Sequence, residues 1–558
     1  MVFSGAGLAV AAEVSPELPC VSMSDIDGFD FAEYRFESDE RTWQRLPEDR
    51  TFVLGEIRIV QQRVFEVEKN ALHRLANRYH RQTRDRVILA AMPVRNGEPV
   101  SQRMLDEAER ILRAKSYLYD ARVLPSRTCG DRVDIVVVVR DVWTLMPILA
   151  IDRSGGENDV SIGIVDNNFL GSGKNISLEY QDDEDRDGVR LFYNDPNIAG
   201  SRWALDLAVA DNDDGGRYRL DLGRPFYSLD ARRSFGLTVD EFERDQGLYF
   251  LSSKFWEIDA RSRVASVGVG FSDGIRDGFV NRWFVGFTFE DHDFEFPLGF
   301  PAPGEDRELA YPYVAFQRIE DRFDTRLNID RVQRTEDLRL GSQIYAQLGW
   351  SDSAFGGDRD RLVGRLSYNN MDYLGSNHLL AYGFNAQGRY DFEANRSEEV
   401  WASAYLTYRM TQGERFSLLA RATGVYTKNL PVDKQLLIGG DSGLRGYPNR
   451  YQPGDRRFLL TVEERYYANV YPFGMFRLGG AVFFDLGRAW YEDDAPAWVP
   501  DVRDGSAFDV LANVGFGLRL ESTRTRRDRI LHLDIAFPLR HGPFVSEMEV
   551  TISVRQSL

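Results

Sequence analysis

The sequence predicts an all-β transmembrane barrel of about sixteen antiparallel strands, preceded by a small α+β domain. From about residue 146 to the C-terminus, apolar and polar residues alternate with period two over about 400 residues, and no helical period returns. Aromatic residues make up 13% of the chain, yet no apolar run approaches the roughly 18 to 20 residues of a membrane-spanning helix. Many amphipathic strands closed into one barrel would account for both features.

The strand count rests on length: residues 146–558 divided by about 25 residues for each strand and loop give about sixteen strands. A soluble two-sheet sandwich is the alternative, but one this large without a helix is disfavoured. The last strand places an apolar row on one face, which we predict to face lipid at the barrel seam: Met548, Val550, Ile552 and Val554. The first strand, which should close the barrel against it, is expected between about Ile148 and Ile164.

Residues 51–145 predict a two-layer α+β domain. A strand at 52–60 precedes two stretches of helical period, and two further strands follow at 117–124 and 132–139. This β-α-α-β-β order packs helices over a sheet. A generic α+β domain of unrelated use is the alternative.

The N-terminal fifty residues predict no folded domain. Residues 1–12 are small and apolar and are interpreted as the remnant of a signal peptide, with an apolar tail as the alternative. Residues 13–50 are acidic without a sustained period, which predicts a tail or linker. The two cysteines imply no disulfide framework, and a bridge between Cys20 and Cys129 is not expected because Cys20 lies in the predicted tail.

Charge and motifs exclude several functions. The net charge is −18, with most of the acidic excess in residues 146–558, so the chain is not a general nucleic-acid binder. The six histidines are scattered without metal-ligand spacing, and neither a phosphate loop nor a nucleophile elbow occurs. We therefore predict no enzymatic activity, no cofactor and no metal.

Residues 439–447, Gly-Gly-Asp-Ser-Gly-Leu-Arg-Gly-Tyr, predict the tip of a long loop between two strands. A glycine-rich turn with an incidental arginine is the alternative. Downstream, residues 479–490 alternate, with mostly small residues and Asp485 on one face. A loop folded back into the lumen, over residues 427–458, would bring Arg445 onto Asp485. We name the predicted contact the loop latch, and its residues are Gly439, Gly440, Arg445, Gly446, Tyr447 and Asp485.

Two of these motifs together resemble the BamA/TamA family of outer-membrane insertion and translocation barrels, which carry POTRA domains and a surface antigen-type barrel. In that family a loop ending in Arg-Gly-Phe or Arg-Gly-Tyr enters the lumen, where its Arg meets the Asp of a Phe-x-Asp-x-Gly strand. Residues 445–447 and 483–487 match these motifs, and Leu444 replaces the usual Val or Ile. Residues 167–173 and 195–203 also resemble family segments, so the likeness covers most of residues 52–558.

The resemblance implies a sixteen-stranded barrel in the outer membrane of a Gram-negative bacterium, with residues 51–145 as a POTRA-like domain in the periplasm. It implies insertion or assembly of membrane proteins, or protein translocation. An edge strand that parts from its neighbour would pair with an incoming strand. The implied partners are the outer-membrane lipid bilayer, unfolded or partly folded client proteins and, as a further option, a periplasmic partner at the POTRA-like domain, with no nucleic acid. The alternatives are a passive pore or structural barrel, and a translocator that secretes one dedicated partner.

Overall fold

The computed structural model describes residues 20–23, 29, 31, 34, 36, 43–65, 71–332, 334–492, 495–500, 509–524 and 530–555. The predicted signal-peptide segment, residues 1–12, lies outside the described residues. No helix in the described part of the chain is both long and apolar enough to span a membrane.

A small α+β domain comes first. Its central strand β5 runs antiparallel to β4 and parallel to β2 in a sheet of order β1-β4-β5-β2-β3. Helices α2 and α3 cover one face, and Leu105, Ala108 and Leu112 of α3 are fully buried in that core. The elements are β1 (Cys20–Ser22), β2 (Phe52–Gln62), α1 (Ala71–Tyr79), α2 (Asp85–Ala91), β3 (Pro99–Val100), α3 (Gln102–Arg113), β4 (Leu118–Cys129) and β5 (Arg132–Asp141).

The segment predicted as a tail is in part structured. Strand β1 pairs with the end of β4, and a disulfide joins Cys20 to Cys129. Phe31 and Tyr34 are buried against the sheet face that the helices leave uncovered, where they meet Val138. The predictions of a free tail and of unpaired cysteines are therefore wrong for these residues. The surface that this segment covers exists only once β4 and β5 have paired, so local composition does not reveal it.

Twenty antiparallel strands form the closed barrel, in which β15 and β16 are two parts of one strand because both pair with β17. The strands are β6 (Leu145–Ser154), β7 (Glu157–Asp166), β8 (Asn175–Asp182), β9 (Asp187–Asp195), β10 (Ala204–Asn212), β11 (Gly215–Arg224), β12 (Arg233–Phe250), β13 (Ser253–Arg276), β14 (Phe279–Glu295), β15 (Arg307–Glu320), β16 (Arg322–Leu327), β17 (Thr335–Ser351), β18 (Arg361–Gly375), β19 (His378–Asp391), β20 (Arg396–Gln412), β21 (Phe416–Lys428), β24 (Arg456–Tyr467), β25 (Phe476–Trp490), β26 (Leu511–Ser522), β27 (Ile530–Pro538) and β28 (Glu549–Arg555). A two-stranded hairpin, β22 (Leu436–Ile438) with β23 (Gln452–Gly454), lies in the β21–β24 connection.

The prediction of a closed barrel is confirmed, whereas the count of about sixteen strands is wrong. Strands β6 to β11 fit six strands into residues 145–224, roughly 13 residues for each strand with its turn. The estimate assumed about twice that length. Short turns, which the alternation alone does not reveal, account for the additional strands.

The α+β domain docks against one end of the barrel. The Arg113 guanidinium donates from Nε to Asp337 on β17 at 2.8 Å, and the Glu107 carboxylate accepts the backbone N–H of Leu229 at 2.7 Å. Arg202, between β9 and β10, donates to the Ala90 carbonyl at 2.6 Å. The long β21–β24 connection lies at the opposite end.

Candidate functional site

The connection between β21 and β24, residues 429–455, folds into the barrel. The β22–β23 hairpin forms its neck, and Leu444 and Tyr447 at its tip have no exposed surface. Both pack with Ala489 and Leu511 of the barrel strands. The tip predicted to enter the lumen is therefore part of the barrel interior.

Arg445 is held by carboxylates from three strands. Its guanidinium binds Asp485 in a two-pronged contact, Nε to Oδ2 and Nη2 to Oδ1, both 2.9 Å. Its Nη1 donates to Glu463 on β24 at 3.0 Å and to Asp534 on β27 at 3.4 Å. The guanidinium also lies 3.3 Å from the ring centroid of Phe483. The structure thus joins Arg445 to Asp485, as the motifs predict, and adds two further carboxylates.

The sequence reasoning missed the partners around this pair. Glu463 and Asp534 belong to neither of the motifs from which the contact between Arg445 and Asp485 is predicted. The alternation of apolar and polar residues along β27 does indicate an inward-facing carboxylate, because it places Asp534 on the inward face of that strand. Phe483 is a bulky residue on the small-residue face of β25, and the structure accounts for it because the Arg445 guanidinium lies over its ring.

Two further arginines balance the charge of this buried cluster. Arg465 donates to Glu463 at 2.9 Å, and Arg519 pairs with Asp534. All of these side chains are at most 5% exposed. Burial lowers the pKa of Arg445, but the hydrogen bonds and charge of Asp485 outweigh it and raise that pKa above its usual value. Every carboxylate in the cluster meets a guanidinium, which buried charge requires.

The glycines of the loop latch permit close backbone contacts. A Cβ on Gly439 would lie 2.3 Å from the Pro448 carbonyl oxygen, and one on Gly446 would lie 2.7 Å from the Cβ of Asn513. Gly440 is similarly confined, at 2.7 Å from the Tyr447 carbonyl oxygen. No larger residue fits at these positions without moving the loop.

Among the described residues, the seam between β28 and β6 has fewer paired residues than the junctions that flank it. There Ile552 with Arg153 is the one pair in register in the described part of the chain, and the Val554 N–H also donates to the Asp152 carboxylate at 3.2 Å. The flanking junctions β27–β28 and β6–β7 have seven and ten such pairs. Of the predicted lipid-facing row, Met548, which directly precedes β28, and Val554 are 48% and 37% exposed, whereas Val550 and Ile552 are partly buried. The first strand begins at residue 145, slightly before the predicted range.

The loop tip contacts both sides of this seam. On one side, the Asn449 amide donates to Glu157 at 2.7 Å and accepts from the Ser154 hydroxyl at 3.1 Å, both in the first hairpin. On the other side, the Tyr447 hydroxyl lies 3.1 Å from the Arg540 carbonyl oxygen, just beyond β27. The loop therefore bridges the weakly paired junction from inside the barrel.

Among the described residues, no three His, Cys, Asp or Glu side chains are grouped as a metal site would require. No family model matches the chain, and no curated protein matches it.

The chain is similar in fold to BamA and CdiB. BamA from Haemophilus ducreyi lacking POTRA domains 1-3 is 15% identical, with 90% of this chain and 84% of that chain covered, at a TM-score of 0.40. CdiB from Acinetobacter baumannii is 14% identical, with 91% and 74% covered, at a TM-score of 0.45. CdiB from Escherichia coli is 12% identical, with 96% of both chains covered, at a TM-score of 0.39.

Proposed function

We propose that this protein is an outer-membrane barrel that inserts or translocates other proteins, and that it works by opening the seam between β28 and β6. The observation that carries this proposal concerns the described residues, among which this junction has a single paired position, Ile552 with Arg153, whereas its neighbours have seven and ten. An unpaired strand edge offers N–H and C=O groups to an incoming β-strand.

The energetics favour this junction as the one that opens. A backbone hydrogen bond contributes about 0.5 to 1.5 kcal/mol net, so among the described residues the pairs between β28 and β6 cost less to separate than those between β27 and β28. The loop that carries the latch adds contacts on both sides of this junction through Asn449 and Tyr447. In this proposal the latch keeps the resting seam closed, and its release exposes both strand edges.

The α+β domain serves as a POTRA-like module in the periplasm. After β1, its element order is β2-α1-α2-β3-α3-β4-β5, which adds one helix and one short strand to the predicted β-α-α-β-β order. The helices between the first long strand and the last two strands support this assignment, as does the docking of the domain at the barrel end away from the latch loop. The outer edge of β2 is paired with β3 at Phe52 and Val53. Leu54 extends this pairing, because its N–H donates to the Glu98 carbonyl and its carbonyl accepts from the Gly97 N–H. The edge from Gly55 to Gln62 is a place where an extended client or a periplasmic partner could add a strand.

A passive pore is the second candidate. A cavity of about 590 Å³ lies against strands β17 to β20, lined by polar and aromatic side chains that include Tyr345, Gln387 and Trp401. Barrels of more than about sixteen strands commonly leave an aqueous lumen. Transport through this lumen would not require the seam to open.

A disulfide across the seam tests the proposal. Arg153→Cys with Ile552→Cys places the thiols on directly opposed residues, where the Cα separation suits a disulfide. The matched control, Ile162→Cys with Tyr180→Cys, locks β7 to β8 instead. The assay is the folding of an outer-membrane barrel client into proteoliposomes that contain the protein, followed by the client's heat-modifiable migration.

We expect the oxidised seam variant to lose client insertion, reductant to restore it, and the control to remain active in both states. Full activity of the oxidised seam variant would refute opening at β28–β6. Conductance through that locked barrel would then support the pore.

A further inference from the structure

A cavity of about 770 Å³ opens at the barrel end remote from the α+β domain. The loop residues 429–436 form one side, and strands β18 to β21 form much of the other. This volume lies in the range of ligand-binding pockets. The cavity is separate from the loop latch, because none of the latch residues lines it.

Cationic side chains dominate the lining. Four carboxylates line the cavity: Glu305, Glu398, Glu399 and Asp455. Seven cations line it: Arg307, Arg361, Arg389, Arg396, Lys428, Lys434 and Arg456. Cations therefore outnumber carboxylates in this lining, although the chain as a whole has a net charge of −18.

The innermost carboxylates are shared between cations. Glu399 binds both Arg389 and Lys434. Glu398 accepts from Arg361 at 2.9 Å and lies 3.6 Å from Arg396. Asp358, outside the lining, also pairs with Arg361, so three carboxylates face four cations here. Because the cations outnumber the carboxylates, this wall can accept further negative charge.

Unused hydrogen-bond donors point to the same ligand chemistry. Arg389 is only 9% exposed, and its Nε has no hydrogen-bond partner among the described residues. The buried Nε of Arg307 is likewise unpartnered within the described part of the chain, while its Nη2 donates to Asp433 at 3.5 Å. Both arginines line the cavity, and a guanidinium matches the oxygen geometry of a phosphate or carboxylate.

We propose that this cavity binds an anionic ligand through a phosphate or carboxylate group, held by Arg307, Arg389 and Lys434. The oxygens of the anion accept hydrogen bonds from the Nε groups of Arg307 and Arg389. Its negative charge adds to that of Glu399, which Arg389 and Lys434 share. The cavity exceeds the size of a bare phosphate, so the anionic group belongs to a larger molecule. Two sources share this chemistry: the phosphorylated headgroup of an outer-leaflet glycolipid, and a soluble anion.

Ligand-induced stabilisation of the full-length protein in detergent tests the site. The unfolding midpoint is measured by near-ultraviolet circular dichroism, with sodium phosphate titrated against sodium chloride at equal ionic strength. A parallel titration uses micelles with and without lipid A. A ligand that binds only the folded state raises the midpoint with concentration. A rise with phosphate supports the site and a soluble source, and a rise with lipid A alone supports the site and a lipid headgroup.

Three variants identify the cavity as the origin of the effect. Arg389→Gln and Lys434→Gln each remove a charge-assisted hydrogen bond and should weaken apparent affinity about 10- to 100-fold. Lys434 is 42% exposed, so its replacement tests the site even where the Arg389 variant fails to fold. Glu398→Gln removes competing negative charge and should tighten binding, an effect opposite to that of general destabilisation.

Arg276→Gln is the matched control, since that arginine is 68% exposed and does not line the cavity. Its affinity should equal that of the unmodified protein. The proposal is overturned if neither phosphate nor lipid A raises the midpoint above chloride. It is also overturned if the cavity variants and the control respond alike.

Discussion

Replacing Arg445 by alanine should damage the barrel far more than neutralising Asp485, because the two losses leave different charges unpaired. Without Arg445, Glu463 keeps Arg465 at 2.9 Å and Asp534 keeps Arg519. Asp485 retains only the Asn513 amide, at 2.9 Å, among the described residues. Asp485 has no exposed surface, so this uncompensated carboxylate should cost about 3 to 5 kcal/mol of folding free energy.

Asp485→Asn should cost less folding free energy, because Arg445 keeps carboxylate partners when Asp485 is neutralised. Arg445 then still donates to Glu463 at 3.0 Å and to Asp534 at 3.4 Å, so its charge remains compensated. The expected cost is about 1 to 2 kcal/mol, the scale of weakened hydrogen bonds to a charged group. Arg445→Ala is expected to cost more folding free energy than Asp485→Asn because Asp485 loses its guanidinium partner, whereas Arg445 keeps two carboxylate partners. This ranking does not depend on the precise strength of any one contact.

Urea unfolding of the detergent-solubilised barrel measures the two free energies, and chymotrypsin cleavage after Tyr451 reports release of the loop. Tyr451 is only 2% exposed, so cleavage requires the loop to leave the lumen. Asp441→Ala, an exposed position in the same loop, should leave both readouts unchanged. Equal losses for Arg445→Ala and Asp485→Asn would refute the charge argument. Unchanged protection of Tyr451 with full client insertion in both variants would remove the latch from the proposed mechanism.

Three further predictions concern the seam, the N-terminal segment and the domain. Asn449→Ala removes two hydrogen bonds to the first hairpin and should destabilise the closed seam by about 1 to 2 kcal/mol, seen as faster amide exchange in β6 with exchange in β13 unchanged. Cys129→Ser should lower the stability of the α+β domain by about 2 to 5 kcal/mol in thermal unfolding and leave barrel migration unaltered. Deleting residues 51–145 should leave a heat-modifiable barrel in the outer-membrane fraction and abolish client insertion, and loss of barrel folding would instead make the domain structural.

The sequence by itself determined the features that depend on local pattern. Period-two alternation indicated a barrel, and the final strand showed its lipid-facing row at Met548 to Val554 because side chains alternate across a strand regardless of context. The Arg445 and Asp485 contact was also predictable, because a lone guanidinium in a glycine-rich loop and a lone carboxylate on a small-residue face need a partner once buried.

The tertiary structure alone decided which distant residues meet. Glu463 and Asp534 join Arg445 because strand register brings three strands to one point, and no local pattern encodes that register. The strand number followed from the turn lengths, and the Cys20 to Cys129 bridge followed from an edge that β4 presents only after the sheet forms. The cationic cavity arises in the same way, since the loop carries Lys434 to a wall whose Arg389 lies 45 positions earlier in the sequence. The alternation of residues along the sequence predicts which face of a strand each side chain occupies. It does not predict which residues of other strands lie beside it, because that pairing is set only when the barrel closes.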